Sequence, residues 1–340
     1  MLKLRSVKEI FFDHIAQPII KNKNYLNKNP IFHFTSYGNK NPYKIFYIIK
    51  RTPGAGFFSN LTYVLGHLEI AKKYNFTPVV DMENYPTIYN EKKLINKTYN
   101  SWEYYFKKVS KYKLNEVYKS KNVIITSNFF LPHMSTDMSL KKELRKLIKE
   151  YIHIRPEITK EVQYLKQKYF RNNNKILGIH FRGTTYKTAR GHAFPIPLKL
   201  MKENIDALIK KFNYNKIFVV TEEDRYLKYL KQYYPKKIIF CDVYRTKKTD
   251  AFKHYPRINH RYKLGREILV ETLLLSCCSG LTFVKSNVSS AAITFSTNKL
   301  NLHPLFIGYN SRNKYISKWY WYLKKILPNW MGGFKINLKY

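Results

Sequence analysis

Ile45-Phe-Tyr-Ile-Ile-Lys50, Pro53-Gly-Ala-Gly56, Phe57-Phe-Ser-Asn-Leu-Thr-Tyr-Val-Leu-Gly-His-Leu-Glu-Ile-Ala-Lys-Lys73 and Thr77-Pro-Val-Val-Asp81 follow one another along the chain. The first is a short apolar run bounded by polar residues, as a strand requires. The second is a glycine turn. The third spaces its apolar residues as a helix does, and the fourth is again a strand. Strand, glycine turn, helix, strand is a βαβ unit, whose two strands lie parallel in one sheet. Asp81 then stands at the carboxyl end of the second strand, the edge where α/β proteins hold ligands.

Outward from this unit the alternation lapses and restarts. Asn84 to Ser120 is polar, aromatic and irregular, and Val123-Ile-Ile-Thr126 is a further strand. Leu140 to about Lys168 has helical spacing, broken near Pro156. Asn172-Asn-Asn-Lys175 is a polar break, where the domain boundary is expected. Strands then read at Ile176–Arg182, Lys216–Thr221, Lys237–Asp242 and Leu281–Ser286. Helices read at Leu198–Phe212, Arg225–Tyr233, Gly265–Ser276 and Ser289–Thr297. Two consecutive α/β halves predict two doubly wound domains, 1–170 and 171–340, facing a cleft. A C-terminal segment with Trp319, Trp321 and Trp330 is expected to pack as a closing helix.

Bulk properties narrow the classes. A chain of 340 residues with 44% hydrophobic residues can bury substantial cores and is not a disordered one. Lys plus Arg number 62 against 22 acids, a net charge of +40 that attracts polyanions: nucleic acid, anionic lipid, nucleotide sugars, pyrophosphate-linked lipids. The lysines are spread along the chain and form no block, and no nucleic-acid motif accompanies them, so no specific nucleic-acid partner is expected. Cys241, Cys277 and Cys278 have neither metal spacing nor an even count, which points to a reducing compartment. No run reaches membrane-span length, and no secretory signal is read at the N-terminus. Its first residues, Met1 to Phe12, suit either an ordinary first helix or an amphipathic one touching a membrane. A cytoplasmic protein, at most peripheral on the inner face of the membrane, is the expectation.

Three constellations could carry chemistry. In Gly178-Ile-His180-Phe-Arg182-Gly-Thr-Thr-Tyr-Lys187, His180 and Arg182 are two apart on a strand and share one face at its carboxyl end. An arginine there offers a planar fork for a phosphate, and the histidine a hydrogen bond to a base or sugar; an ordinary strand-end ion pair is the competing reading. Gly54-Ala-Gly56-Phe-Phe-Ser59-Asn60 enters a helix and could present N–H groups to an anion, though it is neither a P-loop nor a GxGxxG turn. In the third, Glu267 and Glu271 lie one turn apart on a helix. Each needs a cation partner or else serves a ligand. Ser286, Asn287 and Ser289 follow where a strand meets its helix, either capping that helix or holding a diphosphate.

Taken together and in this order, the motifs resemble the fucosyltransferase superfamily of core α1,6-fucosyltransferases, rhizobial nodulation fucosyltransferases and protein O-fucosyltransferases. They are most similar to its bacterial, surface-polysaccharide-type members. The resemblance spans about Ile45 to Pro328. It rests on His180-Phe-Arg182, the turn Gly54–Asn60, the acidic pair Glu222 and Glu223, the helix acid Glu271, and the serine-rich turn Ser286–Ser290.

The resemblance implies a GT-B-like pair of Rossmann-type domains, with GDP-fucose in the C-terminal one and the acceptor beside the N-terminal one. It implies that Arg182 binds the β-phosphate, that His180 and Glu271 read the guanine, and that Ser286 and its neighbours hold the diphosphate. Such enzymes invert the anomeric centre and generally need no metal, in keeping with the lack of a convincing Asp-x-Asp here. The implied acceptor is a glycan: lipopolysaccharide, polysaccharide or a lipid-linked oligosaccharide. Two departures stand out. Thr185 occupies a place where the family often has an acid, and Arg190-Gly-His192 occupies the stretch where core-fucosylating enzymes carry a glutamate. The base is therefore His192, or an acid of the first domain such as Asp81 or Glu103. Two other readings stay open: a GT-B transferase using another nucleotide sugar, and a non-catalytic basic protein that binds nucleic acid or anionic membrane.

Overall fold

The structure is a computed structural model that describes residues 32–126, 142–170, 175–246 and 250–335. The N-terminal segment Met1–Phe12 and the asparagines of the polar break, 172–174, lie outside the described residues. Strands are β1 (Phe32–Thr35), β2 (Lys40–Ile49), β3 (Thr77–Val80), β4 (Ser120–Thr126), β5 (Ile176–Phe181), β6 (Lys216–Thr221), β7 (Ile238–Ile239), β8 (Gly280–Val284) and β9 (Asn301–Leu305). Helices are α1 (Phe57–Lys73), α2 (Leu114–Val117), α3 (Lys142–Tyr151), α4 (Pro156–Tyr169), α5 (Leu198–Phe212), α6 (Asp224–Tyr233), α7 (His260–Leu275), α8 (Asn287–Phe295) and α9 (Tyr320–Ile326).

Contacts divide the chain into two units. The first comprises β1 to β4 with Lys146–Arg155; the second takes the start of α3 up to Arg145 and everything from Pro156 onward. By contacts α4 groups with the residues after it, whereas the sequence reading sets a boundary at residue 171. α4 packs on α7, and the Arg266 guanidinium meets the Glu161 carboxylate at 2.7 Å between them, which ties α4 to the second unit.

The first sheet runs β1-β4-β2-β3. β2 pairs in parallel with β3 and β4, and β1 is antiparallel to β4. Ile48 and Ile49 at the end of β2 are fully buried, because α1 crosses over the sheet and covers it with an apolar face that includes Val64, Leu65 and Leu68. This is the βαβ unit read from the sequence.

The second sheet is wholly parallel in the order β7-β6-β5-β8-β9. All six residues of β5 are buried, as the middle strand of a sheet covered on both faces must be. Leu177, Ile179, Ile205, Leu208, Ile217 and Val219 form the centre of one face's core. Strand order reverses between β5 and β8. That reversal is the topological switch point, where open α/β sheets leave a crevice for ligands. Of the three C-terminal tryptophans, only Trp321 packs inward. It joins Phe194 and Phe334 in a small cluster, and its indole N–H donates to the Pro195 carbonyl at 2.7 Å. Trp319 and Trp330 are exposed, so the closing helix is a seven-residue piece pinned by one ring.

Candidate active site

The carboxyl ends of β5 and β8 bring two of the sequence motifs together at the switch point. His180, on β5, is buried, and its Nδ1 lies 3.3 Å from the Ser286 hydroxyl beyond β8. Burial, and then the positive charge of Arg182, push the His180 pKa down to about 3. The ring is therefore neutral at physiological pH, with both a donor and an acceptor nitrogen. Ser286 is the N-cap of α8. Its hydroxyl accepts from the Ser289 N–H at 3.2 Å, and the Ser289 hydroxyl accepts from the Ser286 N–H at 2.9 Å, a reciprocal capping box. Asn287 is half-buried in the first helical position and Ser289 is fully buried. Of the two readings of these serines, capping is the one observed, and the capped N-terminus of α8 follows the carboxyl end of β8.

Arg182 follows directly after β5. Its guanidinium stacks on the Tyr186 ring, 3.5 Å from the centroid, and no carboxylate pairs with it among the described residues. The strand-end ion pair weighed from sequence is thus not seen among the described residues. A guanidinium set over a ring, with no hydrogen-bond acceptor found for it among the described residues, is suited to a phosphate. Tyr186 in turn meets the His192 ring edge-on at 4.9 Å. His192 is exposed; partial burial, and then the charge of Arg182, lower its pKa.

The loop carrying Arg182 and Tyr186 is fixed from below by Glu223. The Lys187 ammonium lies 2.6 Å from the Glu223 carboxylate, and both side chains are almost wholly buried. Arg225 Nε adds a contact at 3.1 Å. Gly183 is required by this arrangement, because a Cβ there would come within 2.0 Å of Glu223 Oε1. The Lys187 carbonyl also accepts from the Asn310 amide at 3.2 Å. The acidic pair therefore divides: Glu223 is a buried anchor, whereas Glu222 is half-buried and its carbonyl accepts from the Thr246 N–H at 2.8 Å.

Glu271 lies buried on α7. Burial raises its pKa to about 8, an effect partly countered by Arg245. Arg245 reaches Glu271 at 3.3 Å and also donates to the carbonyls of Cys241 at 3.0 Å and Val243 at 3.3 Å. One turn earlier, Arg257 holds Glu267 with two hydrogen bonds of 2.5 and 2.7 Å. Both helix acids thus have cation partners, one of the two alternatives left open from sequence. Their identities were not legible, since Arg245 and Arg257 lie on a separate loop among many other basic residues.

In the first unit the glycine turn is closed by its own helix. Asn60 Oδ1 accepts from the Ala55 N–H at 2.9 Å and from Arg51 Nε at 3.3 Å, and Asn60 Nδ2 donates to the Ala55 carbonyl at 3.1 Å. Gly54 has φ of +75°, a left-handed conformation that favours glycine, and Gly56 is the N-cap of α1. The Asn60 amide is thus engaged in closing the turn. Asp81 is fully buried and accepts from the Glu83 and Asn84 N–H groups, from the Asn84 amide, and from the Tyr118 hydroxyl at 2.6 Å. Both oxygens are engaged, which fits a loop anchor better than a base. Burial raises the pKa of Glu103. Among the described residues no group of three His, Cys, Asp or Glu side chains is placed to hold a metal ion.

No protein-family model and no curated protein matches the sequence. Solved structures do match. NodZ α-1,6-fucosyltransferase co-crystallised with GDP is similar at a TM-score of 0.50 and 16% identity, covering 73% of this chain and 91% of NodZ. Fucosyltransferase NodZ from Bradyrhizobium is similar to the same degree, with 92% of that chain covered. POFUT1 in complex with GDP has a TM-score of 0.42 at 10% identity, over 78% of this chain and 99% of POFUT1. With one mixed and one wholly parallel sheet, this chain has the fold seen in fucosyltransferase NodZ.

Proposed function

We propose that this chain is a glycosyltransferase that takes fucose from GDP-fucose and passes it to a glycan acceptor. The observation that carries the reading is Arg182. It is an arginine without a carboxylate partner among the described residues, stacked on Tyr186 at the switch point, next to a neutral His180 bonded to the cap of α8. NodZ, of like fold, was crystallised with GDP. In this reading the second unit binds the donor. Arg182 takes the β-phosphate, the α8 N-terminus with Ser286, Asn287 and Ser289 faces the diphosphate, and His180 and Glu271 read the guanine, with Glu222 bordering the site. The glycine turn with Gly54, Gly56 and Asn60 belongs to the acceptor-side unit.

Transfer is then a single displacement that inverts the anomeric carbon and needs no metal. The acceptor oxygen loses its proton to a base and attacks C1, while the C1–O bond to the β-phosphate breaks. The departing GDP gains negative charge, and Arg182 with the helix N–H groups stabilises it. His192, unprotonated at neutral pH, is the proposed base. The proposed acceptor is a surface glycan, lipid-linked or polymeric, which places the enzyme in the cytoplasm or against the inner face of a membrane. Thr185, exposed where the family often carries an acid, favours a second reading in which the sugar of the GDP donor differs from fucose.

A thermal-shift comparison tests the nucleotide half of this reading. A ligand that binds only the folded state raises the melting temperature. GDP should raise it, UDP should not, and the GDP shift should vanish in Glu271→Ala. Equal shifts with GDP and UDP would remove guanine recognition from the account.

A further inference from the structure

The second unit carries, around α9, a surface made of none of the residues proposed for the donor. Glu271 is the last acidic residue of the chain, so everything after it carries only positive or neutral side chains. Within that acid-free part, the segment around α9 is held down by Trp321 and Phe334, which are buried against Phe194. The Phe334 N–H donates to the Lys324 carbonyl at 3.1 Å and brings residue 334 back onto the helix. Trp319, Leu323 and Ile326 lie on one face of the helix by their spacing, opposite Trp321. They are 50%, 40% and 81% exposed, and Trp330 in the turn that follows is 84% exposed. Lys318 and Lys335 are exposed near them in the chain, and Lys325 is exposed on the Trp321 side of the helix, its ammonium 5.8 Å from that ring's centroid.

We infer that this face is a membrane-contact surface that seats the second unit on an anionic phospholipid bilayer. Tryptophans with an apolar body and a polar N–H, aliphatic side chains that insert shallowly, and lysines at the rim are the combination a bilayer interface takes. Charge selects among the occupants. A second copy of this chain would bring the same lysines against these. A nucleic acid would use the lysines and could stack on the tryptophans, but would gain nothing from Ile326 or Leu323. An anionic leaflet uses both sets of side chains, and the lack of acids over the whole C-terminal part removes the repulsion it would otherwise meet. The inference stands independently of which nucleotide sugar the enzyme uses.

The test is co-sedimentation of the full chain with vesicles of phosphatidylcholine and phosphatidylglycerol, and with vesicles of phosphatidylcholine alone. Binding is expected to the mixed vesicles and not to the neutral ones. Ile326→Ser with Trp330→Ser, and separately Lys318→Glu with Lys335→Glu, should each lower the partition coefficient by about tenfold or more. Both pairs are exposed, so the melting temperature should stay that of the parent chain. The inference is overturned if the parent chain ignores mixed vesicles, or if both variants bind them as well as it does, since another segment then carries the contact. It is equally overturned if these substitutions weaken binding to duplex DNA, or split a dimer, without changing vesicle binding.

Discussion

Replacing Lys187 by Met tests how the phosphate-facing loop is held. The variant keeps the length of the side chain and removes its charge, leaving Glu223 in a site where its side chain is 3% exposed. Breaking a buried ion pair from one side costs about 3–5 kcal/mol, because the remaining charge stays desolvated. Arg225 still touches Glu223, but its side chain is 53% exposed and compensates only in part, so the cost should lie near the low end, about 3 kcal/mol. For a unit of this size that is a fall of roughly 6–12 °C in melting temperature. The assay is thermal denaturation followed by near-ultraviolet circular dichroism, with Glu223→Leu and the double variant completing a cycle. The double variant removes both charges and should recover much of the loss, giving a coupling of about 1–3 kcal/mol. GDP affinity should fall with stability, since Tyr186, the platform of Arg182, lies on the loop this pair secures. A single variant within about 1 kcal/mol of the parent, or strictly additive costs, would refute the reasoning.

Three further outcomes are expected. His180 is held neutral with a pKa of about 3, below its unfolded value, so its contribution is complete above about pH 6.5 and is lost as pH falls toward 3. His180→Gln should flatten the acid limb of a stability profile by about 1.4 kcal/mol per pH unit in that window, read from melting temperatures between pH 7 and 4. Glu271 has a pKa raised to about 8, so its contribution to stability is complete below its unfolded value and is lost as pH rises through 8. The carboxylate that would accept from guanine forms over the same range, so GDP affinity should rise between pH 6.5 and 8.5 by calorimetry, and Glu271→Gln should abolish that rise. Trp321→Ala removes a ring that is 1% exposed along with its bond to Pro195, and should cost about 3–5 kcal/mol in a denaturant titration.

The sequence pattern was most legible where one face or both faces of an element are buried. α5 and β6 have the bounds that their apolar spacing predicts, because each packs directly into the second core. Edge elements were less legible. The strand expected over Lys237–Asp242 shrinks to Ile238–Ile239, an edge strand that pairs with β6. β9 is not legible as a strand because it contains Pro304, which an edge strand tolerates. α7 begins a turn before the expected Gly265, since Asn259 takes a left-handed conformation with φ of +54° and the buried His260 starts the helix.

At the site, His180, Arg182 and Ser286 could be named from residue type and place, and the fold brings His180 and Ser286 into contact. Lys187 with Glu223, and Arg245 with Glu271, could not be paired in advance. Each partner lies more than twenty residues away, and a chain with 62 basic residues offers too many alternatives.

The most direct test of the central claim is release of GDP from GDP-fucose by the full chain, measured against UDP-sugars and against Arg182→Ala. The account predicts release from GDP-fucose, none from UDP-sugars, and loss of release in the variant with an unchanged melting temperature. Equal release from UDP-sugars, or undiminished release by Arg182→Ala, would contradict it.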